Sequence, residues 1–258
     1  MEIESYEPGT PCWVDLGSPD PAAAADFYSG LFGWEVVDQG PDAGGYRMAL
    51  LRGRPVAGLG PQQQPDIPPY WTTYISVSDA DAVTKSVQAA GGQVFLEPMD
   101  VFEFGRMAVF ADTTGAPFSV WQPGTHIGAE LVNEPGALCW NELATRDRAA
   151  AKAFYPAVFG WSPADVSGGP MVYTEWELGD RKIAGMLQMD DRWPADVPSH
   201  WMAYFAVEDT DAVAARAQEL GATILVPPTD IPPGRFAVLN DPHGAAFSII
   251  TLNPMPPS

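Results

Sequence analysis

The chain has 258 residues, 46% of them hydrophobic, enough for one large domain or two of ordinary size with real cores. Its 33 acidic against 13 basic residues give a formal charge of −20, which repels phosphate backbones and anionic membranes and argues against a nucleic-acid partner. No basic segment followed by an apolar run opens "MEIESYEPGTPCW", and no uninterrupted apolar window of about 18 residues occurs, so neither export nor membrane spanning is expected. A cytoplasmic location is the expectation.

In chain order, four starts share one pattern: "PCWVDLGSPDPAAAADFY", "WTTYISVSDADAVTKSVQAAG", "LCWNELATRDRAAAKAFY" and "WMAYFAVEDTDAVAARAQELG". Each is a short alternating strand followed by an Ala-rich amphipathic helix, with a Ser/Thr/Asp cluster placed to cap the helix N-terminus. Gly91 and Gly221 are placed to stop the second and fourth helices. After each helix come alternating runs with turn signals, such as "GGYRMALLRGRPVAGLG" and "GRMAVFADTTGAPFSVW", read as antiparallel strands joined by hairpins. The unit is β-α-β-β-β, four times over.

The four units group in pairs. Trp140 follows Trp13, Phe154 follows Phe27, Trp161 follows Trp34 and Gly185 follows Gly58 at the same interval of 127. "YISVSDADAV" and "YFAVEDTDAV" repeat at 130, and "GRMAVFADTTGAPFSV" and "GRFAVLNDPHGAAFSI" at 129. Two domains are expected, residues 1–126 and 127–258, joined near "HIGAELVNEPGAL". The two cysteines, Cys12 and Cys139, stand at equivalent places, which fits a shared strand position better than a disulfide.

This pattern resembles the vicinal-oxygen-chelate superfamily, the glyoxalase, bleomycin-resistance and extradiol-dioxygenase group, over essentially the whole chain. "FYSGLFGW" and "FYPAVFGW" after the first helix of each domain carry the resemblance, with the closing "DTTGAPFSVWQ" and "DPHGAAFSIIT". The tandem arrangement is similar to actinobacterial two-domain members often labelled hydroxylases. The resemblance implies an α+β fold: four βαβββ modules forming two tandem glyoxalase-like domains whose mixed, largely antiparallel sheets curl into cups. It also implies a divalent metal held by His, Glu or Gln from the first and last strands, chelating vicinal oxygens of a substrate.

The residues at those places depart from the pattern. Trp13, Thr72, Trp140 and Met202 stand at the first-strand ligand positions, and Ser119 and Ser248 at last-strand ones. Indole and thioether are poor ligands for hard or borderline cations and neutral hydroxyls bind them weakly, so no metal ligand and no cofactor is expected.

Strand alternation assigns the cup linings. Beside Trp13 the first cup should present Asp15, Gly17, Thr72, Tyr74, Ser76, Ser119 and Trp121; the second should present Trp140, Glu142, Met202, Tyr204, Ser248 and Ile250. A carboxylate facing an indole-lined cavity is poorly solvated when charged and moves toward general acid/base use, which makes Asp15 and Glu142 the catalytic candidates. Tyr74 and Tyr204 are placed to donate to a developing oxyanion. The Trp faces suit stacking on an aromatic ligand; equally, both indoles can serve as core. Equally, each carboxylate can be structural, in a salt bridge to a partner such as Arg106 or Arg235 or in a backbone hydrogen bond near the strand end. All three histidines are read as surface or turn residues, His126 in the connection, His243 in a hairpin turn and His200 at a strand start, with His200 kept as the reserve base. "DIPPYW", "VPSHW" and "PPTDIPPGR" are read as rims of the openings.

The expected partner is a small organic molecule, aromatic or polyketide-like, taken by a monomer or homodimer. Metal-independent acid/base chemistry such as isomerisation, cyclisation, hydration or ring opening is the first reading. Sequestration of a planar metabolite, as in resistance proteins, is the second, and metal-dependent glyoxalase or dioxygenase activity the third.

Overall fold

The computed structural model describes residues 1–64, 66–166 and 172–253. The first half runs β1 (Pro11–Ser18), α1 (Pro21–Phe32), β2 (Glu35–Asp38), β3 (Arg47–Leu51), β4 (Arg54–Pro61), β5 (Tyr70–Ser76), α2 (Ala80–Ala89), β6 (Gln93–Val101), β7 (Gly105–Ala111) and β8 (Pro117–Pro123). The second half repeats it with β9 (Leu138–Thr145), α3 (Arg148–Phe159), β10 (Ser162–Val166), β11 (Tyr173–Leu178), β12 (Arg181–Gln188), β13 (His200–Ala206), α4 (Thr210–Glu219), β14 (Thr223–Ile231), β15 (Gly234–Asn240) and β16 (Ala246–Leu252). The βαβββ unit is thus present four times. None of the helices described is long and apolar enough to cross a membrane.

Local chemistry sets the helix limits. Asp20, Asp79, Asp147 and Asp209 each accept from backbone N–H groups in the first turn of their helix. Gly33 and Gly160, the glycines of the two "FGW" motifs, close α1 and α3 at φ of 72° and 71°. Those left-handed conformations favour glycine and turn the chain so that the next residue, Trp34 or Trp161, points back into the core.

Adjacent modules share a sheet. The orders are β2-β3-β4-β1-β5-β8-β7-β6 and β10-β11-β12-β9-β13-β16-β15-β14. The central strands pair antiparallel, with Asp15 opposite Thr72 in one sheet and Glu142 opposite Met202 in the other. Each central strand also pairs in parallel with the last strand of its own module, placing Asp15 beside Gly58 and Tyr74 beside Ser119.

Alternation divides each sheet into two faces. One face carries Val14, Leu16, Ile75, Phe118, Val120, Leu143, Phe205, Phe247 and Ile249, all buried with the helices. The opposite face carries the Trp, Tyr, Ser and carboxylate positions singled out above. The helix-covered faces of the two sheets meet back to back, with Thr73 Oγ1 donating to Asn141 Oδ1 across the seam at 2.9 Å. Neither half keeps a core to itself. One apolar cluster joins Phe27 and Tyr28 of α1 to Ala214 and Ala217 of α4, with Phe205 and Phe247. The other joins Val87 of α2 to Phe154 and Tyr155 of α3, with Phe118 and Trp176.

The repeated motifs meet at this seam. Tyr28 donates to Asp241 Oδ2 at 3.2 Å and accepts from Trp71 Nε1 at 3.1 Å. Tyr155 donates to Asp112 Oδ2 at 2.9 Å and accepts from Trp201 Nε1 at 2.9 Å. The same aspartates hold their hairpin turns with the other oxygen, Asp112 accepting from Ala116 N and Asp241 from Ala245 N. Trp34 Nε1 donates to Gly136 O and Trp161 Nε1 to Gly9 O, each at 2.7 Å. "FY", "FGW" and the turn aspartate therefore form a buried latch between halves.

One cooperative urea transition follows from the shared cores, and Tyr155→Phe should shift all of it. The variant leaves a buried carboxylate oxygen and an indole N–H short of a partner, a loss of about 2 kcal/mol or more. Two separate transitions, with only one moved, would contradict the shared core.

Candidate functional site

On the face away from the helices, each half builds a cluster of one carboxylate, two phenols and an indole. In the first cup, Tyr74 donates to Asp15 Oδ2 at 2.8 Å, and Trp13 Nε1 donates to Tyr46 OH at 3.1 Å. Tyr46 and Thr72 also hydrogen-bond toward the Asp15 carboxylate. In the second cup, Tyr204 donates to Glu142 Oε1 at 2.9 Å, Trp140 Nε1 donates to Tyr173 OH at 3.0 Å, and Tyr173 faces Glu142 in turn.

Tyr46 and Tyr173 complete the clusters and were missed in the linings read from the sequence. They stand 127 residues apart, the interval of the other repeats, inside runs read only as strands. A second signal was the glycine pair in β4 and β12. A Cβ on Gly58 would fall on the Tyr46 hydroxyl, and one on Gly185 on the Tyr173 hydroxyl. Glycine inside a strand marks such a close approach; here it lets a phenol from the neighbouring strand lie across the sheet and reach the carboxylate.

The electrostatics follow from burial. Loss of solvent pushes the Asp15 carboxyl up to about 6, against which the hydrogen bonds from Tyr74, Thr72 and Tyr46 pull down. Glu142, 9% exposed, is raised for the same reason, with Tyr173 and Tyr204 opposing. Tyr46, Tyr74, Tyr173 and Tyr204 are all held above the ordinary phenol range, first by burial and then by the adjacent carboxylate, so they remain neutral donors. The arginines do not approach these carboxylates. Arg106 pairs with Asp81 and Asp100, and Arg235 with Asp211 and Asp230, all on the surface. The salt-bridge reading of Asp15 and Glu142 is corrected: phenols, not guanidinium groups, hold them.

The two cups differ in access. Trp13 is 4% exposed and forms one cluster with Tyr74, Trp121, Cys12 and Ala129, backed by Tyr6, Met48 and Met107. His126 belongs to this cup, contrary to its reading as a surface or turn residue. Its ring stands edge-on to Trp13 at 4.7 Å, and Trp121 Nε1 donates to its carbonyl at 2.7 Å. Burial holds its imidazole down to about 4, with Glu130 opposing. With His126 against it and only 4% of its surface exposed, Trp13 has little surface left to stack on a ligand. Trp140 and Tyr173 in the second cup are only half-buried, above Met202, Tyr204 and Ile250. His200 lies at the start of β13 on the same face as Met202 and Tyr204; its Nδ1 is engaged by Pro198 O at 2.8 Å and burial lowers its pKa. His243 lies apart, in a cleft of about 320 Å³ between Phe27 of α1 and Leu220 just after α4.

The sequence model described as the glyoxalase/bleomycin resistance protein/dioxygenase superfamily matches residues 12–120 and again 135–249. The chain belongs to that family. It is 45% identical to the anthracycline biosynthesis protein DnrV of Streptomyces peucetius, over 96% of this chain and 94% of that one. It is 46% identical to the putative glyoxylase CFP32 of Mycobacterium bovis, over 97% of each. Among solved structures it resembles the Mn(II)-bound glyoxalase from Novosphingobium aromaticivorans, with a TM-score of 0.66 at 20% identity over 95% of this chain and 82% of that one. The 2,3-dioxygenase LapB from Pseudomonas sp. KL28 has the same TM-score at 13% identity, over 98% and 96%.

A divalent metal of the kind found in such a glyoxalase does not fit the side chains present. No three His, Cys, Asp or Glu converge among the described residues. Each cluster offers a single carboxylate among phenols that stay protonated, and Gly58, Ser119, Gly185 and Ser248 supply no ligand from the last strands.

Asp15 supplies a test by titration. Its folded pKa of about 6 lies above the unfolded value of about 3.9, so its contribution favours folding below pH 4 and is lost as pH rises through 6. The stability of Asp15→Asn relative to the unmodified protein should therefore rise by about 2 kcal/mol between pH 4 and pH 7.5. A difference that stays flat with pH would mean the carboxylate is not desolvated.

Proposed function

We propose that the protein is a small-molecule enzyme of secondary metabolism that uses a buried carboxylate, without a metal, for proton transfer on an aromatic or polyketide-like metabolite. The observation that carries this reading is the Tyr204 to Glu142 hydrogen bond of 2.9 Å, at a carboxylate that is 9% exposed, has no cationic partner among the described residues and is raised in pKa. Burying a charge without a counter-ion costs stability, and a structural role does not require it at two equivalent places. A carboxylate whose charged form is disfavoured by burial is a stronger base than a solvated one, as a general base must be.

Glu142 is assigned the proton transfer, with Tyr204 and Tyr173 as the neutral donors that orient it. Trp140, Met202 and Ile250 supply the apolar surface for a planar ligand, and His200 stands at the strand start as a second base. Asp15, with Tyr74, Thr72, Ser119 and Trp121, repeats the arrangement in the cup where His126 stands against Trp13. The second cup is the working one on this reading, because its indole keeps a solvent-facing side. Two close relatives, DnrV and DauV, are named for anthracycline biosynthesis, which supports an oxygenated polycyclic substrate.

Glu142→Gln keeps the shape and removes the titration. Turnover of such a substrate should fall by about a thousandfold or more with affinity within a few fold, a loss on the scale assigned to general acid/base groups. Recovery of the ligand chemically unchanged from the unmodified protein, with affinity lost in Trp140→Ala, would instead make the protein a sequestering binder.

A further inference from the structure

Two hydroxyls at the floors of the cups have no assigned role. Ser119 and Ser248 are 1% and 0% exposed; among the described residues neither Oγ reaches a partner at hydrogen-bond geometry, and each lies only close enough to its neighbouring phenol, Tyr74 or Tyr204, to pull that phenol's pKa down against burial. A buried hydroxyl left unpaired costs free energy that an alanine at the same place would avoid. Yet both halves keep one, at the same register: Ser119 beside Tyr74 and Ser248 beside Tyr204 in parallel pairs. The adjacent phenols are committed to the carboxylates, Tyr74 to Asp15 and Tyr204 to Glu142. What remains in the second cup is one O–H donor, Ser248, not held at hydrogen-bond geometry by its neighbour Tyr204, on the same face as a carboxylate with a raised pKa, among Met202, Ile250 and Phe236.

A lone neutral donor beside a base fits one functional group well, a carbonyl whose neighbouring carbon bears a proton. Resting on the acid/base reading above, we infer that the substrate of the second cup is a planar aryl ketone. Its carbonyl oxygen accepts from Ser248 Oγ, and Glu142 exchanges the proton on the carbon α to that carbonyl. In the forward step the carboxylate takes the α-proton; the C–H pair becomes the C=C bond of the enolate, and the C=O π pair moves onto the oxygen held by Ser248. In the reverse step the carboxyl returns a proton to carbon. The step is redox-neutral and needs no co-reactant. Ser248 touches the developing oxyanion, the place where a preorganised donor has most effect.

The probes are 1-tetralone, which has an enolisable aryl ketone, and tetralin, its ring skeleton without the oxygen. Calorimetry reads affinity, and proton NMR in D₂O reads loss of the signal α to the carbonyl. The intact protein should bind the ketone about tenfold more tightly than the hydrocarbon, the value of about one hydrogen bond, and should accelerate α-exchange over buffer. Ser248→Ala should bring the two affinities together and slow exchange by about tenfold or more, with unchanged circular dichroism. Equal affinity of the intact protein for both probes, or a Ser248→Ala variant that still prefers the ketone, overturns the carbonyl assignment. If Glu142→Gln abolishes exchange and Ser248→Ala does not, the acid/base reading stands and this one falls. If the intact protein gives no exchange above buffer, both fall.

Discussion

The buried hydrogen bonds from Tyr28 to Asp241 and from Tyr155 to Asp112 are the constraint from which the rest of the architecture follows. Each ties a helix of one half to a hairpin turn of the other, inside an apolar cluster to which both halves contribute. Each half is thereby obliged to turn its helix-covered face to its partner, and its other face is left pointing away from the seam. The latch also explains why the most recognisable motifs in the chain carry no chemistry. The "FGW" tryptophans donate to backbone carbonyls of Gly136 and Gly9, and the turn aspartates hold their hairpins. Their recurrence reflects a seam that must close in the same way on both sides.

Away from the seam the balance is different. Asp15 and Glu142 sit among phenols and indoles, where the charged form is disfavoured by burial and only partly recovered through hydrogen bonds. Nothing in the packing of the cups calls for a carboxylate there; an apolar residue of similar size would avoid the desolvation cost. The two cups carry this burden unequally. His126 stands against Trp13 in the first, and the corresponding indole Trp140 keeps partial exposure in the second. The covering falls on the indole rather than on the carboxylate, since Asp15 keeps partial exposure whereas Glu142 is buried.

The repeats made the modules and their strands legible, because a fixed interval of 127 to 130 residues aligns every strand, cap and turn with a second copy. Alternation then placed Trp13, Asp15, Tyr74, Ser119, Trp140, Glu142, Tyr204 and Ser248 on the faces where the structure has them. It reached no further than single strands. Tyr46 and Tyr173 enter the clusters by lying across a neighbouring strand, a contact that period-two reasoning cannot express, although Gly58 and Gly185 marked the space. His126 was misread because a connecting segment carries no periodicity, and only the hydrogen bond from Trp121 and the contact with Trp13 put it in the cup. The surface pairs of Arg106 and Arg235 escaped for a similar reason: their partners Asp81 and Asp211 lie on helices that pack beside the hairpins.

The symmetry of the latch has an evolutionary consequence. Tyr28 reaches the aspartate of the opposite half and Tyr155 does the same in return, so a chain half as long would meet both needs by pairing with a second copy of itself. In such a pair every substitution in one cup appears in the other. Joining the halves in one polypeptide removes that bond between them: Asp15 can face Glu142 as its counterpart, and Trp121 can correspond to Ile250, while the seam stays matched. One cup can then drift, fill or close without taking the other with it, and the fused chain is free to keep one chamber as ballast and reshape its twin for a new molecule.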